Sequence, residues 1–207
     1  MKLYYSPGAC SLAPHIALIE AGLEFDREQV DLRAHRTASG SELGQVHGKN
    51  YVPILELDNG ECLTEGPVIL QYIADLQPDA GLIFRPGTMA RYRVQEWLCF
   101  VASELHKPFI PLLTRDRSSS DWQQWATATL GRRFEWISGQ LWERPWVAGD
   151  HYTVADTYLF VVTRWSAAVG IDLSPWPILR DYQARIANRP GVVEAMKAEG
   201  LVQAAAA

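Results

Sequence analysis

The chain has 207 residues, 48% of them hydrophobic and 21% charged, which excludes a disordered tail, a collagen-like repeat and a coiled-coil rod. At this length roughly 70% of the unfolded chain's surface can be buried, so no disulfide or metal staple is needed to fold it. The 19 lysines and arginines against 24 acids leave a net charge of −5 without a basic cluster, a poor match to nucleic acid or an anionic membrane.

Lys2 to Ser6 reads as a first strand, ended by Pro7-Gly8. Pro7, Gly8, Pro14 and His15 interrupt any apolar run at this end, so no signal peptide is predicted. Residues 11 to 21 carry Leu12, Ile16 and Ile19 at helical spacing, with Gly22 as a stop. Phe25 to Leu32 is a second strand, followed by a helical or irregular segment. Val52 to Leu57 and Glu61 to Thr64 flank Asp58-Asn59-Gly60, a hairpin signal. Val68, Ile69, Tyr72, Ile73 and Leu76 then form a helical stripe over residues 67 to 76. The order βαβ-α-ββα predicts a small mixed sheet covered by helices.

The second part reads as all helix, and it holds all eight tryptophans, from Trp97 to Trp176. We therefore expect one domain at 1–78, a linker at 79–87 and a helical domain at 88–207. Ala90, Val94, Trp97, Leu98, Val101 and Leu105 define a long helix that Pro108 and Pro111 bend or end. Ser120 with Gln123 reads as a capping box for the next helix. Thr153 with Asp156 reads as another, opening a largely buried helix through Val169. Trp176 to Ile186 gives one more helix, stopped by Arg189-Pro190-Gly191. A last one runs to about Glu199 and stops at Gly200, ahead of a frayed tail at Ala204 to Ala207.

Four places could carry chemistry. Cys10 follows a strand and opens a helix, where partial positive charge favours thiolate; the plain alternative is a small buried hydrophobe. Pro7 stands where a Cys-x-x-Cys pair would begin, so a lone thiol here needs an external thiol partner. Val52-Pro53 opens a strand, and a cis bond there would leave the Val52 backbone to pair with an extended ligand; an ordinary trans bond fits equally. At Glu65-Gly66-Pro67, amides of a helix start could hold a carboxylate and Glu65 an ammonium, or Glu65 is a plain acidic helix start. His106 and Lys107 near a helix end either complement its dipole or let His106 donate to a sulfur or developing anion. Cys10, Cys62 and Cys99 are too few for a disulfide scaffold and fit a reducing cytoplasm. The histidines have no metal-ligand spacing, and no phosphate loop, dinucleotide fingerprint or Gly-x-Ser-x-Gly elbow is present.

Together these residues resemble the glutathione S-transferases, specifically the bacterial beta class. The likeness runs through Lys2 to Leu12, Val52-Pro53, Leu63 to Gly66, Gln71 to Asp75, Glu104 to Lys107 and Thr153 to Phe160. It implies an α/β thioredoxin-like N-terminal domain, an all-α C-terminal domain and a homodimer. It implies reduced glutathione as co-substrate, with no permanently bound cofactor and no metal. It implies that Val52 pairs with the glutathione backbone ahead of a cis Pro53, and that Glu65 and Gly66 hold the γ-glutamyl end. Cys10 and His106 would face the sulfur, with Ser103 and Lys107 nearby. His35, Tyr51 and Cys99 stand at further glutathione-binding positions, and Tyr5 and Ser11 are secondary candidates for thiolate contact. Phe109, Ile110 and Trp165 would line the pocket of a small apolar electrophile. The Thr153–Asp156 box matches the family's folding-related cap, a stability role.

The chain departs from the class pattern at three places. His35 replaces a lysine, His47-Gly48-Lys49-Asn50 replaces Asn-Pro-Lys-Gly, and Cys99 replaces an asparagine. Losing a charged hydrogen bond costs about 1.5–3 kcal/mol, so glutathione affinity is open to reduction. The expected activity is attack of glutathione thiolate on an apolar electrophile, including halogenated aromatics. Two alternatives are a glutathione-dependent thiol-disulfide oxidoreductase using Cys10 and a non-catalytic ligand-binding protein on the same fold.

Overall fold

We describe residues 1–202 of a computed structural model; the expected tail at Ala204–Ala207 lies outside the described residues. The chain forms two compact units. One comprises Met1–Ile83 together with the segment from Arg189 onward, the other Phe84–Asn188. The helical domain expected at 88–207 thus ends at Asn188, and the last helix packs with the first unit instead.

In the first unit, β1 (Lys2–Tyr5), α1 (Leu12–Glu20), β2 (Asp26–Asp31), β3 (Arg36–Thr37), α2 (Leu43–Val46), β4 (Ile54–Glu56), β5 (Cys62–Thr64) and α3 (Gly66–Leu76) follow in order. The strands make one mixed sheet, β3-β2-β1-β4-β5. β1 and β2 are parallel, and β1–β4, β4–β5 and β2–β3 are antiparallel. Parallel neighbours need a crossover, which α1 supplies. The hairpin turns at Asn59-Gly60, where the Leu57 N–H reaches the Glu61 carbonyl at 2.8 Å. The edge strand β3, absent from the expected order, adds two residues beside Val30 and Asp31. Leu3, Leu12, Ile16, Leu18, Ile54, Leu55, Ile69 and Ile73 are buried.

The last helix, α9 (Pro190–Ala198), packs against α1. Gly191 permits that contact, because a Cβ there would stand 2.8 Å from Glu20 Cγ. Arg189 then pairs with the Glu20 carboxylate through two nitrogens, at 2.6 and 3.0 Å.

The second unit holds α4 (Met89–Phe100), α5 (Lys107–Leu113), α6 (Ser120–Leu141), α7 (Val154–Val169) and α8 (Pro177–Ala187). Pro108 and Pro111 do not stop the long helix. Between α4 and α5, Val101–His106 widens to π geometry, and the helix continues past both prolines to Leu113. A proline ring clashes with the carbonyl four residues back, and a widened turn is a way to move that carbonyl aside. The cap of α6 sits one residue earlier than expected. Ser119 Oγ accepts from the Trp122 N–H at 3.3 Å, while the Gln123 side chain reaches back to the carbonyls of Arg115 and Ser118.

The Thr153–Asp156 capping box forms as read. Asp156 is fully buried and accepts four hydrogen bonds. Val147 N–H and the Tyr182 hydroxyl reach one oxygen at 2.9 and 2.7 Å. Thr153 N–H and its hydroxyl reach the other at 2.8 and 3.0 Å. Burial pushes this carboxyl's pKa up, against the pull of its donors.

Candidate active site

In the first unit, the turn between β1 and α1 presents Cys10. Ala9 N–H bonds the Ser6 carbonyl at 3.0 Å, and Ala13 N–H bonds the Cys10 carbonyl at 3.1 Å, so Cys10 lies in the turn that leads into α1, just before its N-cap Ser11. Its half-buried thiol donates to the Val52 carbonyl at 3.5 Å. The Val52–Pro53 bond, left open by the local sequence, is cis. The β4 ladder begins at Ile54, so Val52 stands just outside it.

Ser11 is not placed to touch a ligand, which corrects its candidacy. It is fully buried, and its hydroxyl donates to the Ser6 carbonyl at 3.2 Å while accepting from the Ser6 N–H at 3.1 Å. Ser11 precedes α1 at its N-cap position, and its side chain closes the turn before the helix. Tyr5 is also buried, with its ring against His15 at 5.9 Å and the Arg27 guanidinium at 5.9 Å.

The cysteine turn has a support that the sequence did not announce. Glu199, just past α9, sends one carboxylate oxygen to the Gly8 N–H at 2.9 Å and the other to His15 Nδ1 at 2.8 Å. Both side chains of that pair are buried. Gly8 has φ +72°, and Leu201 covers it so closely that a Cβ would meet Leu201 Cδ2 at 3.3 Å. More than 180 residues separate these partners, and no local pattern could join them.

Glu65 precedes α3 and holds φ +69°. The Lys49 ammonium and the Tyr51 hydroxyl both donate to its Oε1, at 2.7 and 2.6 Å. That carboxylate holds the Lys49 pKa up, through its hydrogen bond above all, and raises the Tyr51 phenol in the same way. His35, Asn50 and Glu65 are the non-glycine residues with positive φ among those described. Each belongs to a segment named as a candidate, and strained backbone of this kind gathers at functional sites. His35 is exposed and its carbonyl accepts from the Leu43 N–H at 2.8 Å. Gly66 is the first residue of α3, followed by Pro67 at a position where a missing N–H does no harm.

In the second unit, Leu98, Val101, Leu105, Pro108, Phe109 and Leu112 are buried, whereas Cys99, Ser103 and Lys107 are exposed and His106 and Ile110 half-buried. The outward candidates therefore share one side of the continuous helix. The Ser103 hydroxyl donates to the Cys99 carbonyl at 3.0 Å. His106 Nδ1 lies 2.8 Å from the Tyr158 hydroxyl, and the Trp165 ring stands edge-on at 4.9 Å. Burial, and next the Lys107 charge, push the His106 pKa down to about 4, so the imidazole is neutral at pH 7. Tyr158 was not among the sequence candidates, although it lies in the motif that follows the Thr153 cap.

Phe109 is corrected as a pocket wall. It is fully buried among Trp165 and Phe134, with ring centroids at 5.7 and 6.3 Å. Helical periodicity aligns it with Leu105 and Leu112, the core side. Trp165 is buried but reaches His106, and Ile110 keeps partial exposure. Among the described residues, no group of three or more His, Cys, Asp or Glu is placed to hold a metal ion, and no helix is long and apolar enough to cross a membrane.

Known proteins resemble this chain over nearly its whole length. Residues 1–75 match the family model "Glutathione S-transferase, N-terminal domain", and residues 100–190 match "Glutathione S-transferase, C-terminal domain". The chain is 41% identical to glutathione S-transferase GstA of Escherichia coli O157:H7 over 97% of its length and 100% of the relative's. It superposes on BphK, a bacterial GST solved as a ternary complex, with a TM-score of 0.95 and 52% identity, covering 97% of this chain and 100% of that one. A beta-class glutathione S-transferase from Sphingomonas chungbukensis gives 0.94 and 48%, covering 98% and 100%. The thioredoxin-like sheet with its cis-proline strand, the helical second unit and these matches over nearly the whole chain place the protein in the glutathione S-transferase family, in its bacterial beta class.

Proposed function

We propose that this chain is a cytoplasmic, homodimeric glutathione transferase that joins glutathione to small apolar electrophiles. The observation that carries the reading is the half-buried Cys10 thiol at the opening of α1, directed at the carbonyl of Val52 ahead of a cis proline. A thiol-bearing ligand with a peptide backbone is suited to that pairing: its chain lies along Val52 and its sulfur near Cys10. Glu65, already an acceptor for one ammonium, takes the γ-glutamyl ammonium.

The reaction follows from the groups present. Partial positive charge at the start of α1 and fixed hydrogen-bond donors lower the cost of ionising the glutathione thiol. The thiolate attacks an electrophilic carbon, forming a carbon–sulfur bond. Where the carbon bears halogen, the carbon–halogen bond breaks, and halide leaves while the thiol proton passes to solvent. His106, neutral at pH 7, serves as a hydrogen-bonding partner for the sulfur and not as a positive charge. Ser103, Lys107, Cys99, His35 and Tyr51 are proposed as further glutathione contacts, and Ile110 and Trp165 as contacts of the electrophile.

The test is direct. The purified chain is supplied with reduced glutathione and a halogenated aromatic electrophile, and conjugate is followed by absorbance. Conjugate formation supports the reading; no turnover together with no glutathione binding overturns it.

The half-buried Cys10 thiol, in the turn before α1, also favours a second activity, exchange with glutathione disulfides. There the Cys10 thiolate attacks the glutathione sulfur of a mixed disulfide, the S–S bond breaks and the other partner leaves as thiolate; a second glutathione thiolate then attacks the Cys10–glutathione disulfide, releasing oxidised glutathione and the Cys10 thiolate. Cys10→Ala separates the two activities, because exchange requires that sulfur whereas conjugation does not consume it.

A further inference from the structure

The start of α3 offers little to an anion. Pro67 has no N–H, the Val68 N–H donates to the Glu65 carbonyl at 2.9 Å, and Gly66 has no side-chain hydroxyl to add. Of residues 66 to 68, that leaves the Gly66 amide, beside the negative charge of Glu65. The γ-glutamyl end of glutathione carries an α-ammonium and an α-carboxylate on one carbon. Glu65 suits the first group, and the second needs a cation.

Such a cation already stands on Glu65. Lys49 Nζ is 2.7 Å from Oε1, and Tyr51 holds the same oxygen at 2.6 Å, so the carboxylate keeps a donor when Lys49 departs. The lysine side chain is 42% exposed, which leaves its ammonium room to swing. A flexible stem with three donors makes lysine suited to changing partners. The left-handed Asn50, φ +57°, lies between the two donors.

We propose that Lys49 reads the α-carboxylate of the γ-glutamyl head. The ligand's ammonium takes over the Glu65 oxygen, and Lys49 turns from that oxygen onto the ligand's carboxylate. No covalent bond changes and no proton moves; one internal ion pair becomes two pairs with the ligand. The assignment rests on the proposed docking of the γ-glutamyl end at Glu65. It makes the site selective for a zwitterionic head. A ligand without the carboxylate strands Lys49, and one without the ammonium leaves Lys49 on Glu65 and its own carboxylate unpaired.

Titration calorimetry on the full chain tests this with two ligands, glutathione and its analogue bearing a carboxamide in place of the α-carboxylate. Lys49→Met is expected to weaken glutathione about three- to fivefold, the range of an exposed ion pair, and to leave the analogue's affinity unchanged. Lys49→Arg is expected to restore most of the loss. Equal weakening of both ligands, or unchanged glutathione affinity, overturns the assignment while leaving the proposed function standing. No glutathione uptake by the unaltered chain overturns the proposed function, and this assignment with it.

Discussion

The half-buried imidazole of His106 couples acidity to stability. Its pKa lies at about 4 in the folded chain, against an ordinary value of 6.5, because burial penalises the cation and Lys107 adds a like charge. Between those values the unfolded chain binds a proton that the folded chain refuses, so stability falls as pH falls. The contribution is complete above pH 7 and is withdrawn progressively from about 6.5 down to about 4. About 2.5 units at 1.36 kcal/mol each gives about 3 kcal/mol. His106→Gln removes the titration while keeping a polar group near Tyr158. Urea unfolding of both proteins at pH 7.5, 6.5, 5.5 and 4.5, read by tryptophan fluorescence, gives ΔG at each pH. The unaltered chain should lose about 2.5 kcal/mol more than the variant across that range, since pH 4.5 stops short of the folded pKa. Parallel curves would refute the reasoning, for they would mean that the folded protein accepts the proton as readily as the unfolded one.

Asp156→Ala should lower stability by about 3 kcal/mol, because it strands buried donors from Val147, Thr153 and Tyr182. A differential scanning experiment should show a Tm lower by about 6–12 °C, with glutathione affinity of the folded fraction retained. Ser119→Ala should cost about 1 kcal/mol in the same experiment and Ser120→Ala only a few tenths, since Ser119 caps α6. The reverse ranking would place the cap where the sequence motif suggested it.

What was legible in the sequence is what short-range chemistry dictates. Asn59-Gly60 makes its hairpin, and Thr153 meets Asp156 three residues on, because both depend on bonds within one turn. Cys10 was visible as a helix-opening thiol for the same reason. The strand β3 left no trace, since Arg36 and Thr37 join the sheet through backbone bonds that any side chains permit. The long helix defied its prolines because a change in turn width leaves the hydrophobic stripe almost unaltered. Periodicity also tells which side of a helix is apolar without telling what covers it. The stripe that holds Phe109 therefore does not distinguish a pocket wall from core, and the stripe of α9 does not name the helix it packs against. Glu65 was recognisable as an acidic helix start, but its pairing with Lys49 and Tyr51 spans 14 to 16 residues, across the β4–β5 hairpin.

The return of the carboxy-terminal segment to the first unit has a consequence for biosynthesis. Residues 1–83 leave the ribosome first, yet Gly8 and His15 gain their carboxylate only once Glu199 has emerged, and Leu201 closes over Gly8 later still. The segment 84–188, though translated afterwards, has its contacts complete before then. During translation the cysteine turn is thus unfinished, with Cys10 on an unclamped loop. The clamp on the Cys10 turn is added only after the whole of 84–188 has been made.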